Sequence, residues 1–446
     1  MAIDVKSPEF GLLAQTDLID DRVRGVPPGT AAISPSEVPA QGWRPADGVM
    51  ALPVLTLDEA AFANNRDLML RYVKEHGVEI APHAKTPMCP ELAASLVKAG
   101  AWGTTVADIR QASVMLKAGL MRLLLANEVG GRGGALRLAR LLASYPKAEF
   151  FIFADSPEAV AALAEAWRLE PAAPNIGILV EVGAGRAGAR DAAAADRVIE
   201  AIRDPGPDAR LALAGVATYE GTVAVADAVK TRAAIDDLMA LTHEVYGKVR
   251  GLVGPEIPLI LTAGGSSYFD WVVAALQPMI AADGNARLIL RSGAIFFQDH
   301  GGYARAMAAI DERDGFAIGG RRVAAAEAFR PALRLWAEVL SRPEPGLAVC
   351  GMGMRDVSYD QDLPRPLRVH RDGRPLVEIA GPEAMQVLKL NDQHAFVAVD
   401  PQSPICVGDV IEFGISHPCT CMDKWRVLFG LDEKGRVVAA HPTFFG

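Results

Sequence analysis

Between residues 51 and 305, short runs of β-branched and aliphatic residues alternate eight times with longer Ala/Leu-rich stretches. The runs fall at residues 78–82, 103–107, 122–126, 150–154, 176–181, 213–218, 258–263 and 287–291. Intervening segments such as PELAASLVKAG and PEAVAALAEAWRL place apolar residues three and four apart, the period of an amphipathic helix. Several of them begin after Asp, Ser or Pro and end at Gly, as helix caps require. A doubly wound open sheet gives the same alternation. The count of eight, with polar residues at the ends of the runs, favours a (β/α)8 barrel.

The first 50 residues, rich in Pro and Gly and without a sustained period, read as an arm laid over the rest. After about residue 306 the rhythm changes to short alternating runs broken by Gly, Pro and Asp, among them PLVEIA, AFVAVD and DVIEFGIS. That pattern belongs to an antiparallel β domain. The expected organisation is an arm at 1–50, a barrel at 51–305 and a C-terminal β domain at 306–446.

Half of the residues are hydrophobic and 22% are charged, enough apolar surface for a packed core and too much for a disordered chain. Lys+Arg 45 against Asp+Glu 54 gives a net charge of −9, which argues against a nucleic-acid or anionic-membrane partner. No apolar run approaches the ~20 residues that span a bilayer. The first residues have neither the cationic nor the apolar stretch of a signal peptide. Five cysteines, an odd and sparse set, are no disulfide framework and fit a reducing, cytoplasmic setting.

Chemistry concentrates at the ends of the runs, where a barrel carries its active site. In Pro82-His83-Ala84-Lys85-Thr86, His83 and Lys85 stand two apart and share one side of an extended chain. A lysine held in apolar surroundings has a lowered pKa and serves as an amine nucleophile toward an aldehyde cofactor. The Leu261–Ser267 segment ends an apolar run with Gly264, Gly265 and Ser266, small residues whose N–H and hydroxyl groups suit a phosphate. In the β domain, His417 and Cys419 stand at i and i+2 in Ser416-His417-Pro418-Cys419, so that in extended backbone both reach one ion. An imidazole with a thiolate suits zinc, although manganese or another divalent ion remains open, and two ligands leave positions for water and substrate.

The PHAKT segment resembles the cofactor-lysine motif of the D-serine dehydratase and D-threonine aldolase family, pyridoxal 5'-phosphate enzymes of the alanine-racemase fold type. The resemblance extends over nearly the whole chain from residue 51. HPCTCMDKW is similar to the family's HxCTxxDKW segment, with Cys421 where Thr is expected, and Cys421 is left outside the metal's ligands. EVGAGRAG matches the family's glycine-rich turn, with Gly185 in place of a polar residue. The resemblance implies that Arg186 lies beside the pyridine ring. It also implies cofactor contacts for Tyr219, in Ala217-Thr218-Tyr219-Glu220-Gly221, and for Ser292 and Gly293, which precede Phe296, Phe297, Asp299 and Tyr303. Packing remains the alternative for Tyr219 and Tyr303. Arg355–Asp360 and Asn391–His394 also resemble family segments near the entrance of the site, and His394 is evenly divided between a structural and a site role.

The implied enzyme is a zinc-dependent dehydratase (deaminase) of D-3-hydroxyamino acids such as D-serine, releasing a 2-oxo acid and ammonia, and working as a homodimer. An aldolase giving glycine and an aldehyde would use the same parts. A racemase would need a two-sided pair of bases and no metal.

Overall fold

The computed structural model describes residues 18–206, 209–381 and 383–445. Eight strands, Glu79–Ile80, Thr104–Val106, Arg122–Leu125, Glu149–Ala154, Ile176–Val182, Leu211–Thr218, Leu259–Ala263 and Ala286–Leu290, pair in parallel as one sheet. Its two ends meet. His83 bridges Thr105, and the Trp102, Thr105 and Ala84 N–H groups donate to Ile80, Pro82 and Thr105 carbonyls across the seam. Ala81, Leu124, Phe153, Leu179, Ala217, Ile260 and Ile289 form one buried cluster, contributed by the successive strands and by Ala81 just past the first. Ile176–Val182 is buried at all seven positions, as a strand must be when it lies between a filled interior and an outer layer of helices. The Asp108, Ser156, Asp191 and Asp227 side chains accept backbone N–H bonds at the starts of the helices that follow them. The expected alternation and barrel are therefore present.

The second sheet has ten strands and departs from the expected boundaries at both ends. Its central strand, Leu333–Glu344, pairs antiparallel with Val410–Gly414 on one side and with Val54–Asp58 on the other. Val54–Asp58 also runs parallel to Val427–Leu431. Residues 54–58, expected in the barrel, thus belong to the β domain. Their partners lie hundreds of residues away, and VLTLD directly before a helix reads locally like the first strand of the βα rhythm. At the other end, helix Gly302–Glu312, the small hairpin 317–322 and helix Ala325–Ala328 precede the sheet, which begins at Leu333 instead of near residue 306.

From Leu18 to Met50 the arm packs on the β domain. Ile19, Val26, Val38, Trp43 and Met50 form one buried cluster with Val54, Trp336, Phe429 and Val437. Arg24 pairs with Asp356 at 2.8 Å and lies over the Trp425 ring. Residues 1–17 of the arm lie outside the described residues. Among the described residues no helix is long and apolar enough to cross a membrane.

The β domain is docked on the barrel's C-terminal mouth. The His300 and Gly302 N–H groups donate to the Ile415 and Ser416 carbonyls, and the Phe444 N–H donates to the Met88 carbonyl. His441 on the last strand reaches Glu59 at 2.7 Å and Glu91 at 3.3 Å, each at the start of a helix.

Candidate active site

Lys85 lies just past the first barrel strand, two residues beyond the seam at His83, with its side chain open to solvent in the single chain. Crowding of the side chain by protein atoms lowers its pKa below that of an ordinary lysine. The Arg186 and Arg291 charges act in the same direction and Cys419 acts against them. His83 is pushed well below the usual histidine range by burial, with Lys85 and Arg291 adding to it, so it is a neutral imidazole. The neighbouring Gly293 is needed for close approach, since a Cβ there would stand 2.6 Å from the His83 carbonyl oxygen.

The two halves of the site meet at Thr86, whose hydroxyl lies 3.3 Å from the Cys419 sulfur. The backbone that brings His417 and Cys419 together differs from the extended chain expected. His417 is extended, at φ −156° and ψ 109°, and caps a helix over Pro418–Met422 in which Cys419 takes the first turn. Proline favours that first-turn start, so convergence comes from a cap and a turn instead of strand alternation. The His417 Nδ1 lies 2.6 Å from Asp360, and the Thr420 hydroxyl donates to the other oxygen of the same carboxylate at 2.6 Å. The Nδ1 contact leaves Nε2 for a further partner, the usual arrangement of a metal-binding histidine. Cys419 and Asp360 together raise the His417 pKa to about 9 against the effect of burial. Cys421, fully buried, has its thiol pushed up to about 12 by that burial. Among the described residues no group of three or more His, Cys, Asp or Glu is placed to hold a metal.

Around them stand two tyrosines. The Tyr303 ring meets His417 edge-on at 6.4 Å, and burial first, then Cys419, Tyr219 and Asp299, raise its phenol pKa. Burial likewise raises Tyr219. Arg186 lies over the Tyr219 ring at 5.6 Å and 3.7 Å from Glu181. Glu128 faces Glu181, and burial together with that second carboxyl pushes Glu128 up to about 9, so the pair retains a proton at neutral pH. Asp299 accepts from the Gly301, Tyr303 and Ala304 N–H groups, yet burial raises it to about 6.

The Gly264–Ser266 turn is in place but does not offer the donors expected of it. The Gly264 and Gly265 N–H groups donate to the Glu220 carboxylate at 3.0 and 2.7 Å. The Ser292 hydroxyl and the Arg291 N–H donate to the Gly264 carbonyl. His394 is exposed in the turn between strands Met385–Leu390 and Ala395–Val399. Glu220, Arg291 and Asp360 were missed as individual residues, because burial marks the first two, long-range partners mark all three, and no local spacing does.

Pyridoxal phosphate fits this mouth. A crowded amine, a glycine-and-serine turn followed by a long helix, and the orphaned buried oxygens Thr218 Oγ1, Glu181 Oε2 and Asp299 Oδ2 are the groups such a ligand would meet. Two family models match the chain: the alanine racemase N-terminal domain over residues 57–266 and a putative serine dehydratase domain over residues 332–431. The chain is 27% identical to a D-threonine aldolase of Arthrobacter sp., covering 82% of this chain and 85% of that protein. It is 26% identical to a 3-hydroxy-D-aspartate aldolase of Paracoccus denitrificans, covering 84% and 87%. The solved D-threonine aldolase from Filomicrobium marinum superposes with a TM-score of 0.69 at 25% identity, over 88% of this chain and 95% of that one. D-threo-3-hydroxyaspartate dehydratase from Delftia sp. HT23 shares the fold, with a TM-score of 0.65 at 20% identity over 89% and 98%. The barrel carries an alanine racemase N-terminal domain and the C-terminal part a putative serine dehydratase domain, and over most of its length the chain is similar to D-threonine and 3-hydroxy-D-aspartate aldolases, lyases of the alanine-racemase fold.

Proposed function

We propose that the chain is a dehydratase of D-3-hydroxyamino acids of the D-serine type, yielding a 2-oxo acid and ammonia, with a catalytic divalent ion, most simply zinc. The observation that carries this reading is the 3.3 Å contact between Thr86 and Cys419, which places the His417–Cys419 pair one residue from Lys85. Lys85 is the cofactor's attachment point and, once displaced by the substrate amine, the base for the α-proton; its lowered pKa favours the free amine that both roles need. Bound pyridoxal phosphate would supply the electron sink for the charge left at Cα. His83 and Gly293 shape the floor beside the lysine, and Arg186 and Tyr219 flank the ring position. Ser266 contributes a hydroxyl on the phosphate side, and Ser292, donating to the Gly264 carbonyl, steadies the turn beside it.

His417 Nε2 and the Cys419 thiolate would hold the ion, with Asp360 fixing the imidazole. The ion's Lewis acidity would make the substrate's 3-hydroxyl a better leaving group. Water lost from the substrate is regained when the resulting enamine hydrolyses, so the net products are the 2-oxo acid and ammonia. A homodimer in a reducing cytoplasm is part of the same reading, supported by the family resemblance and by five cysteines that form no disulfide.

The aldolase reading has one observation in its favour, the aldolase activity named for the two sequence relatives. The ligand pair favours the dehydratase, since a thiolate is a soft donor suited to zinc. Incubation with D-serine and D-threonine decides between them. Pyruvate or 2-oxobutyrate with ammonia is expected, and L-isomers should be inert. Glycine plus an aldehyde as the main products would transfer the enzyme to the aldolases, and interconversion of enantiomers would make it a racemase.

A further inference from the structure

Glu220 has no solvent exposure and stands two residues past the end of the sixth barrel strand, at the start of the short 3-10 turn Glu220–Thr222. A carboxylate so placed must be fully hydrogen-bonded and balanced by a cation. The hydrogen bonds come from the turn after the next strand. Oε2 accepts from the Gly264 N–H at 3.0 Å and Oε1 from the Gly265 N–H at 2.7 Å. Arg291, itself buried, donates through its guanidinium to the Thr262 hydroxyl at 2.9 Å and the Thr218 carbonyl at 2.7 Å, and the opposite charge of Glu220 favours its cationic form against burial.

The turn is therefore clamped on every side. Its first two N–H groups go to Glu220, and its Gly264 carbonyl takes the Arg291 N–H and the Ser292 hydroxyl. The Ser267 carbonyl at its far end accepts from Arg313, which is paired with Asp270 at 2.6 Å. Gly264 has a φ of +85°, and a Cβ on Gly265 would stand 2.7 Å from the Tyr219 ring, so the segment Tyr219–Glu220 is moulded to these glycines. Helix Phe269–Asp283 starts immediately afterwards and brings the positive end of its dipole to the same place.

We propose that Glu220 is a positioning residue for the cofactor's phosphate: its carboxylate, not the phosphate, takes the Gly264 and Gly265 N–H groups, and so fixes the turn with the Ser266 and Ser267 donors facing the anion. Glutamine cannot replace it, because an amide offers one acceptor oxygen and turns an NH2 toward the second N–H. Arg291 keeps the buried carboxylate from repelling the phosphate it helps to seat. The inference rests on the reading that this turn receives the phosphate of pyridoxal phosphate, and the test separates the two.

Full-length protein freed of cofactor is titrated with pyridoxal 5'-phosphate and, separately, with pyridoxal, which has the same ring and aldehyde but no phosphate. Binding is followed by visible absorbance and tryptophan fluorescence. Wild type should prefer the phosphate form strongly; failure to do so would sink the phosphate reading itself. Glu220→Gln should weaken pyridoxal phosphate by at least ~10-fold, the scale of charge-assisted hydrogen bonds lost, while pyridoxal affinity stays within about twofold. Glu220→Asp, which keeps the charge but withdraws it by one methylene, should move the same ratio in the same direction and carries the test if the glutamine variant does not fold. An unchanged ratio in the folded variant, or equal loss for both ligands, would overturn the assignment.

Discussion

Lys85 is an amine at the barrel mouth whose environment favours its neutral form. Protein crowding and two guanidiniums act against its charged form. Wild-type protein should carry a visible absorbance with pyridoxal phosphate that borohydride traps on Lys85. Lys85→Ala should lose both that absorbance and turnover, and Lys85→Arg should not restore them, because a guanidinium is not a usable amine. The same covalent absorbance in the alanine variant would remove Lys85 from the role. The two thiols, two residues apart, behave differently for a physical reason: Cys419 faces Thr86 and His417, whereas Cys421 is sealed in the interior. Cys419→Ala should abolish metal retention, and Asp360→Asn should weaken it ~10–100-fold, as loss of a histidine's orienting partner does. Cys421→Ala should keep the metal content of wild type. A Cys421 variant as metal-poor as the Cys419 variant would show that the wrong sulfur has been chosen. These residues were legible to different degrees. Lys85, His417 and Cys419 sit in short motifs with characteristic neighbours. Glu220 and Arg291 are visible only once strands distant in sequence lie side by side.

Among the elements, periodic ones were readable and long-range ones were not. The barrel strands and helices carry their own signals in apolar period and in the caps Asp108, Ser156, Asp191 and Asp227. Val54–Asp58 carries the signal of a strand but not the identity of its sheet, since Trp336 and Phe429 neighbours are fixed by tertiary contacts. The helix over Pro418–Met422 was hidden because it spans barely one turn, too short to show a period. The last strand, Val437–Pro442, ties the domains through His441. Burial alone would lower the pKa of this imidazole, but Glu59 and Glu91 outweigh it and hold it up at about 9. A folded-state pKa above the unfolded value of about 6.5 means stabilisation that is complete below that pH and lost as pH rises through 9. Wild type should therefore exceed His441→Gln in stability by about 2 kcal/mol at pH 6, the scale of hydrogen bonds to charged groups, with the difference shrinking toward pH 9.5. Denaturant titrations at several pH values measure it. A gap that does not change with pH would show that the clasp is not held by charge.

In the whole molecule the β domain brings His417 and Cys419 against the barrel segment that carries Lys85. Sequence order gives no hint of this, since Thr86 and Cys419 are 333 residues apart. The docked bonds from His300, Gly302 and Phe444 show how the chain holds the two segments together. If barrel and β domain form one centre, removing the ion should silence the chemistry while leaving the cofactor in place. The direct measurement is turnover of D-serine by the pyridoxal-phosphate-loaded enzyme after exhaustive chelation, with absorbance recorded in the same sample and zinc then restored. Pyruvate formation should fall to background with the Lys85-dependent absorbance unchanged, and should return with zinc. Undiminished pyruvate formation by the metal-free enzyme would contradict a shared site and leave His417 and Cys419 without a part in the reaction.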